Sequence, residues 1–160
     1  MLIGDTHVGK SWIFDNFFSI PFINTPSICL DSEEVFIKVN DEILSLNIED
    51  TPGQERFQKL SSISKKDLII FVYSIDNKNS FEIIKQRIKK IKEDCNDNTH
   101  YILVGNKMDL NNNRVISKEE GSELAKNEKI DFFIEVSAKT GENIENIFFE
   151  AAKILYKNRK

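Results

Sequence analysis

Eight residues near the start restrict what this chain can fold into more than any other stretch: Gly4-Asp5-Thr6-His7-Val8-Gly9-Lys10-Ser11. They fit G-x-x-x-x-G-K-[ST], follow the apolar Met1-Leu2-Ile3, and precede residues 11–18, which read as a helix. Strand, glycine-bearing loop and helix in that order let successive backbone N–H groups converge on one point. The helix N-terminus behind the loop adds a dipole that favours an anion. The loop therefore predicts phosphate bound by the backbone of Asp5, Thr6, His7, Val8 and Gly9. Lys10 reaches the β- and γ-phosphates, and the Ser11 hydroxyl ligates Mg2+. Taken alone, the motif also fits a glycine turn that matches by coincidence.

The remainder alternates short apolar runs with amphipathic stretches, the pattern of strand–helix units around a sheet. Residues 68–73 and 101–104 are nearly continuous apolar runs, suited to parallel strands buried on both faces. Residues 35–39 and 43–48, separated by Asn40-Asp41, read as an antiparallel hairpin, and 131–135 as a last strand. Helical spacing of Phe81, Ile84, Ile88 and Ile91 marks a helix over 80–94. Its Lys85, Arg87, Lys89, Lys90 and Lys92 read as a solvated face. Ser117-Lys118-Glu119-Glu120 is a capping box opening a second helix, and 142–158 carries an apolar stripe for a third. Asn111-Asn112-Asn113-Arg114 reads as a surface loop.

At 160 residues, the chain is expected to form one domain over 1–160. Its net charge of −4 lacks the basic footprint of a nucleic-acid binder. Cys29 and Cys95 form no disulfide or zinc pattern, which points to a reducing, cytoplasmic setting. No apolar run reaches the roughly 18 residues of a membrane span, and no secretory leader is visible.

Two further segments stand at strand ends, where ligands bind in such sheets. In Asn106-Lys107-Met108-Asp109, an aspartate can accept hydrogen bonds from the guanine N1–H and N2–H2, a donor pair that adenine does not offer. Asn106 can bond the other edge of the base, and the Lys107 stem can lie across it. In Ser137-Ala138-Lys139, the Ala138 N–H can donate to guanine O6. Taken alone, the first segment reads better as an Asx-type turn and the second as a plain loop before a helix.

Together with Asp50-Thr51-Pro52-Gly53-Gln54, these segments resemble, in order and across essentially the whole chain, the Ras-like small GTPases. Asp50-Thr51-Pro52-Gly53-Gln54-Glu55-Arg56-Phe57 and Ser137-Ala138-Lys139-Thr140-Gly141-Glu142-Asn143 are most similar to the Rab branch. The resemblance implies an α/β fold of the P-loop NTPase type. Its sheet would be mixed, mostly parallel and six-stranded, with about five flanking helices and a shortened first strand. It further implies a GTP/GDP switch in vesicle traffic or signalling, slow Mg2+-dependent hydrolysis, and effector, exchange-factor and activating proteins as partners. Asp50 would hold Mg2+ through water, the Gly53 N–H would contact the γ-phosphate, and Gln54 would orient the attacking water. Thr25-Pro26-Ser27-Ile28-Cys29-Leu30-Asp31 resembles the first switch and picks Ser27 as the other metal ligand, with Thr25 as fallback.

Several residues depart from the family pattern. His7 stands where glycine is usual, Pro52 replaces alanine, Glu49 replaces tryptophan and Ser32 replaces phenylalanine. Phe18 and Phe22 are both candidates to stack on the base, and each also fits a place in the core. No arginine is obviously placed as a finger in cis, so fast turnover would need an activating partner. The end of the chain, Tyr156-Lys157-Asn158-Arg159-Lys160, carries no prenylation motif, so membrane contact would need a tail beyond it. The alternative function is a nucleotide-binding pseudo-GTPase acting as an interaction module. A third reading, a P-loop ATPase or kinase, is opposed by Asn106 and Asp109.

Overall fold

The computed structural model describes residues 1–18, 32–50 and 63–159. In chain order the elements are β1 (Leu2–Gly4), α1 (Lys10–Phe17), β2 (Ser32–Val39), β3 (Glu42–Glu49), β4 (Leu68–Ser74) and α2 (Lys78–Asp94). They continue with β5 (His100–Asn106), a 3₁₀ turn (Met108–Asn113), α3 (Lys118–Asn127), β6 (Phe132–Glu135) and α4 (Ile144–Lys157). The six strands divide into a parallel sheet of order β1-β4-β5-β6 and the antiparallel pair β2-β3. The short first strand still pairs in register with β4, Ile3 opposite Phe71.

Alternation along the parallel strands builds two cores. Leu2, Ile70, Val72, Ile102 and Val104 face Phe14 of α1 and Ile147 and Phe148 of α4. Ile3, Ile69, Phe71 and Leu103 face Phe81, Ile84 and Ile88 of α2. Strands covered on both faces have no polar side, which explains their unbroken apolar sequences. Each fully buried side chain of this kind contributes about 1.5–3 kcal/mol. The hairpin instead alternates. Leu44 and Val39 pack on Ala152 of α4, while Phe36 and Ile43 are exposed.

Local chemistry sets the element ends. Asn40 turns the hairpin at φ 55, a left-handed conformation that asparagine tolerates better than most residues. Ser117 and Glu120 form the expected reciprocal cap, and its N–H and hydroxyl donors hold the Glu120 carboxyl below its ordinary range. The Asn-rich stretch expected as a surface loop is exposed, but it coils into the 3₁₀ turn. Short runs of this helix need few hydrogen bonds, so propensity alone does not separate them from loop.

All four parallel strands point their carboxyl ends the same way. The phosphate loop after Gly4, Asn106 at the end of β5, and Ser137 just past β6 are thereby gathered on one edge.

Candidate nucleotide site

The phosphate loop closes through two left-handed residues, His7 at φ 64 and Gly9 at φ 90. Gly9 caps α1, and a Cβ there would lie 2.4 Å from the Asn106 amide nitrogen. Both the φ and the close approach therefore demand glycine at this position. His7 occupies its left-handed position with a full side chain, which is exposed. Lys10 is buried at 4% exposure, and its ammonium donates to the carbonyls of Gly4 and Asp5, each at 2.8 Å. Those two bonds fix the direction of the charge.

The Ser11 hydroxyl donates to the Asp50 carboxylate at 2.6 Å. Two of the three expected metal ligands thus meet beside the loop, both with the hard oxygen donors that suit Mg2+. Ser27, Gly53 and Gln54 lie outside the described residues, as do Thr25, Pro52 and Phe22.

Asn106 joins the loops together. It is 1% exposed, its amide N–H donates to the Val8 carbonyl at 2.8 Å, and its carbonyl accepts the Ala138 N–H at 3.0 Å. In this structure the two groups aimed from sequence at the base edge, Asn106 and the Ala138 N–H, bond each other. Asp109 accepts the Ser137 hydroxyl at 2.7 Å, and Ser137 Oγ in turn accepts the Thr140 N–H at 3.2 Å. Lys107 is left-handed at φ 67, with its ammonium 3.6 Å from Asp76. Lys139 is exposed. The Asn16 amide also donates to the Ala138 carbonyl at 3.4 Å, tying α1 to the last loop.

The phosphate loop, the 106–109 segment and the 137–139 segment therefore form one hydrogen-bonded unit. The model of the Ras family matches residues 1–157. This chain belongs to that family. Ras-related protein Rab-8B of Homo sapiens is 38% identical over 162 residues, 96% of this chain and 75% of that protein. Ras-related protein SEC4 of Saccharomyces cerevisiae is 38% identical over 161 residues, 97% of this chain and 73% of that protein. SEC4 of Candida albicans is 35% identical, over 97% of this chain. Within the family the chain falls in the Rab branch, as a GTP-hydrolysing small GTPase switch of the kind that works in vesicle traffic. Guanine nucleotide, Mg2+ and regulatory proteins are the general ligands of such a switch.

The structure overturns the solvated-face reading of α2 and gives partners to Phe18 and Glu49 within this GTPase. Arg87 and Lys92 are not part of a solvated face: both are half-buried, Arg87 donating to the Gly4 carbonyl at 3.2 Å and Lys92 to the Glu128 carbonyl, with its ammonium 4.7 Å from the Tyr101 ring centroid. The signal was present, because residue 87 falls three after Ile84 and four before Ile91, beside the apolar stripe. Phe18 packs into an aromatic cluster with Phe14, ring centroids 4.8 Å apart, and with Phe17 at 5.2 Å. Glu49, where Rab proteins carry an aromatic residue, pairs with Lys66 at 2.5 Å. Among the described residues no helix is long and apolar enough to cross a membrane.

Proposed function

We propose that residues 1–160 act as one GTP/GDP switch unit in the cytoplasm, with the site residues in the following roles. The observation that carries the reading is Asn106, whose two buried hydrogen bonds lock the phosphate loop to the loop bearing Ala138. The backbone of residues 5–9 cradles the phosphates, and Lys10 supplies charge at the β/γ end. Ser137 uses one of about four lone-pair positions on the Asp109 carboxylate, leaving acceptors for guanine N1–H and N2–H2. Asn106, Ala138, Lys107 and Lys139 complete the base pocket.

Ser11, Ser27 and Asp50 are the residues that would hold Mg2+, which when bound neutralises charge on the phosphate oxygens. The Gly53 N–H contacts the γ-phosphate, and Gln54 orients the attacking water. Effectors, exchange factors and activating proteins read and reset the switch through residues that change with the γ-phosphate.

Two experiments test this. Single-turnover conversion of loaded GTP to GDP should be measurable and slower in Gln54→Leu; equal conversion in both proteins refutes the role of Gln54. Asp109→Asn should move preference from guanine toward xanthine nucleotides, and an unchanged preference refutes the base assignment.

A further inference from the structure

Arg87 is the one long-range contact that α2 sends into the phosphate loop among the hydrogen bonds described, 83 residues along the chain from Gly4. The oxygen it bonds is not an arbitrary one. The Gly4 carbonyl also accepts the Lys10 ammonium at 2.8 Å. Two cations on one oxygen, at 2.8 and 3.2 Å, stand no more than about 6 Å apart. Lys10 is buried, and its neighbour is half-buried, so water screens this pair less than an exposed one. The two positive charges add at this point, and their joint field favours an anion beside them.

The position also says which anion. Lys10 serves the β/γ end of a bound triphosphate, so the carbonyl that orients Lys10 acts on that end. The Gly4 carbonyl is anchored by strand pairing, Gly4 standing opposite Val72 of β4, so close that a Cβ on Gly4 would sit 2.3 Å from the Val72 carbonyl oxygen. A rigid acceptor held by two donors directs both of them.

We propose that Arg87 is a positioning residue of the phosphate site: by sharing the Gly4 carbonyl with Lys10 it sets the direction of the Lys10 ammonium and biases the site toward the terminal phosphate. The effect rests on the nucleotide-site reading above. It is a property of this arginine, since a neutral side chain at position 87 could hold the carbonyl but would bring no charge.

The test compares GDP with a slowly hydrolysed GTP analogue on three proteins: unchanged chain, Arg87→Met and Arg87→Lys. Methionine keeps the apolar stem and removes the donors; lysine restores one cationic donor. Charge-assisted hydrogen bonds of this kind correspond to about tenfold in affinity. We expect Arg87→Met to weaken the triphosphate analogue about tenfold and GDP by less than about threefold, with Arg87→Lys recovering most of the difference. An equal loss for both nucleotides, with no recovery by lysine, means that Arg87 only packs α2 against the loop, and overturns the proposal. So does an unchanged ratio. If Arg87→Met does not fold, Arg87→Leu, which also removes the donors, carries the same comparison. Failure of the unchanged chain to bind either nucleotide overturns the site reading itself, and is separate from a failure confined to the variants.

Discussion

Removal of the Asn106 side chain should cost far more than the loss of one base contact. Asn106→Ala takes the donor from the Val8 carbonyl and the acceptor from the Ala138 N–H. Val8 and Ala138 are 1% and 4% exposed, so water does not readily replace either partner. A buried polar group left unpaired costs about 1–3 kcal/mol. Two such groups and a small cavity give about 3–4 kcal/mol, near the upper end of single substitutions. At about 2–4 °C per kcal/mol for a domain of this size, the midpoint should fall by roughly 6–16 °C. Urea and thermal unfolding of the nucleotide-free proteins measure this directly; bound nucleotide itself stabilises, and by less in a variant that binds it more weakly. The same variant should lose both phosphate and base affinity, because the strut joins the two loops. Asn106→Asp sharpens the test. It keeps an acceptor for Ala138 but turns a second oxygen toward the Val8 carbonyl, so it should be no better than alanine despite its equal size. A loss below about 1 kcal/mol in Asn106→Ala would refute the strut.

Three further outcomes are expected. Gly9→Ala, with a Cβ driven to 2.4 Å from Asn106 at φ 90, should weaken GDP binding at least about tenfold; fluorescence titration within threefold of the parent would refute it. His7→Gly should stabilise the chain by about 0.5–1 kcal/mol by removing left-handed strain at φ 64, and a lower melting temperature than the parent would count against that. Arg114→Ala leaves Glu135, bonded bidentately at 2.6 and 2.9 Å and only 8% exposed in its side chain, without its counter-charge. This should cost about 3–5 kcal/mol in urea unfolding, and the double change Arg114→Met with Glu135→Leu should cost less than the single one.

Much of this protein is written locally. The phosphate loop was legible because eight consecutive residues carry both the conformational need and the chemistry. The buried strands were legible because burial on two faces removes polar residues, and the α3 start because Ser117 and Glu120 satisfy each other within one turn. The boxes at 106–109 and 137–139 were legible as a set, through their order. Their internal bonding was not, since a sequence shows that Asn106 has one donor group and one acceptor but not which distant groups they meet. Only the parallel packing of β1, β4, β5 and β6 brings Val8 and Ala138 to its two sides. Arg87 was misread for the same reason. Helical spacing places a residue on a stripe or its border, but what lies across from that border is set by how α2 seats on the sheet. Sequence alone thus marked the segments proposed to touch phosphate and base. The tertiary structure decided which side chains hold those segments together, because a hydrogen bond depends on a distance of about 3 Å between groups that the chain itself separates by tens of residues.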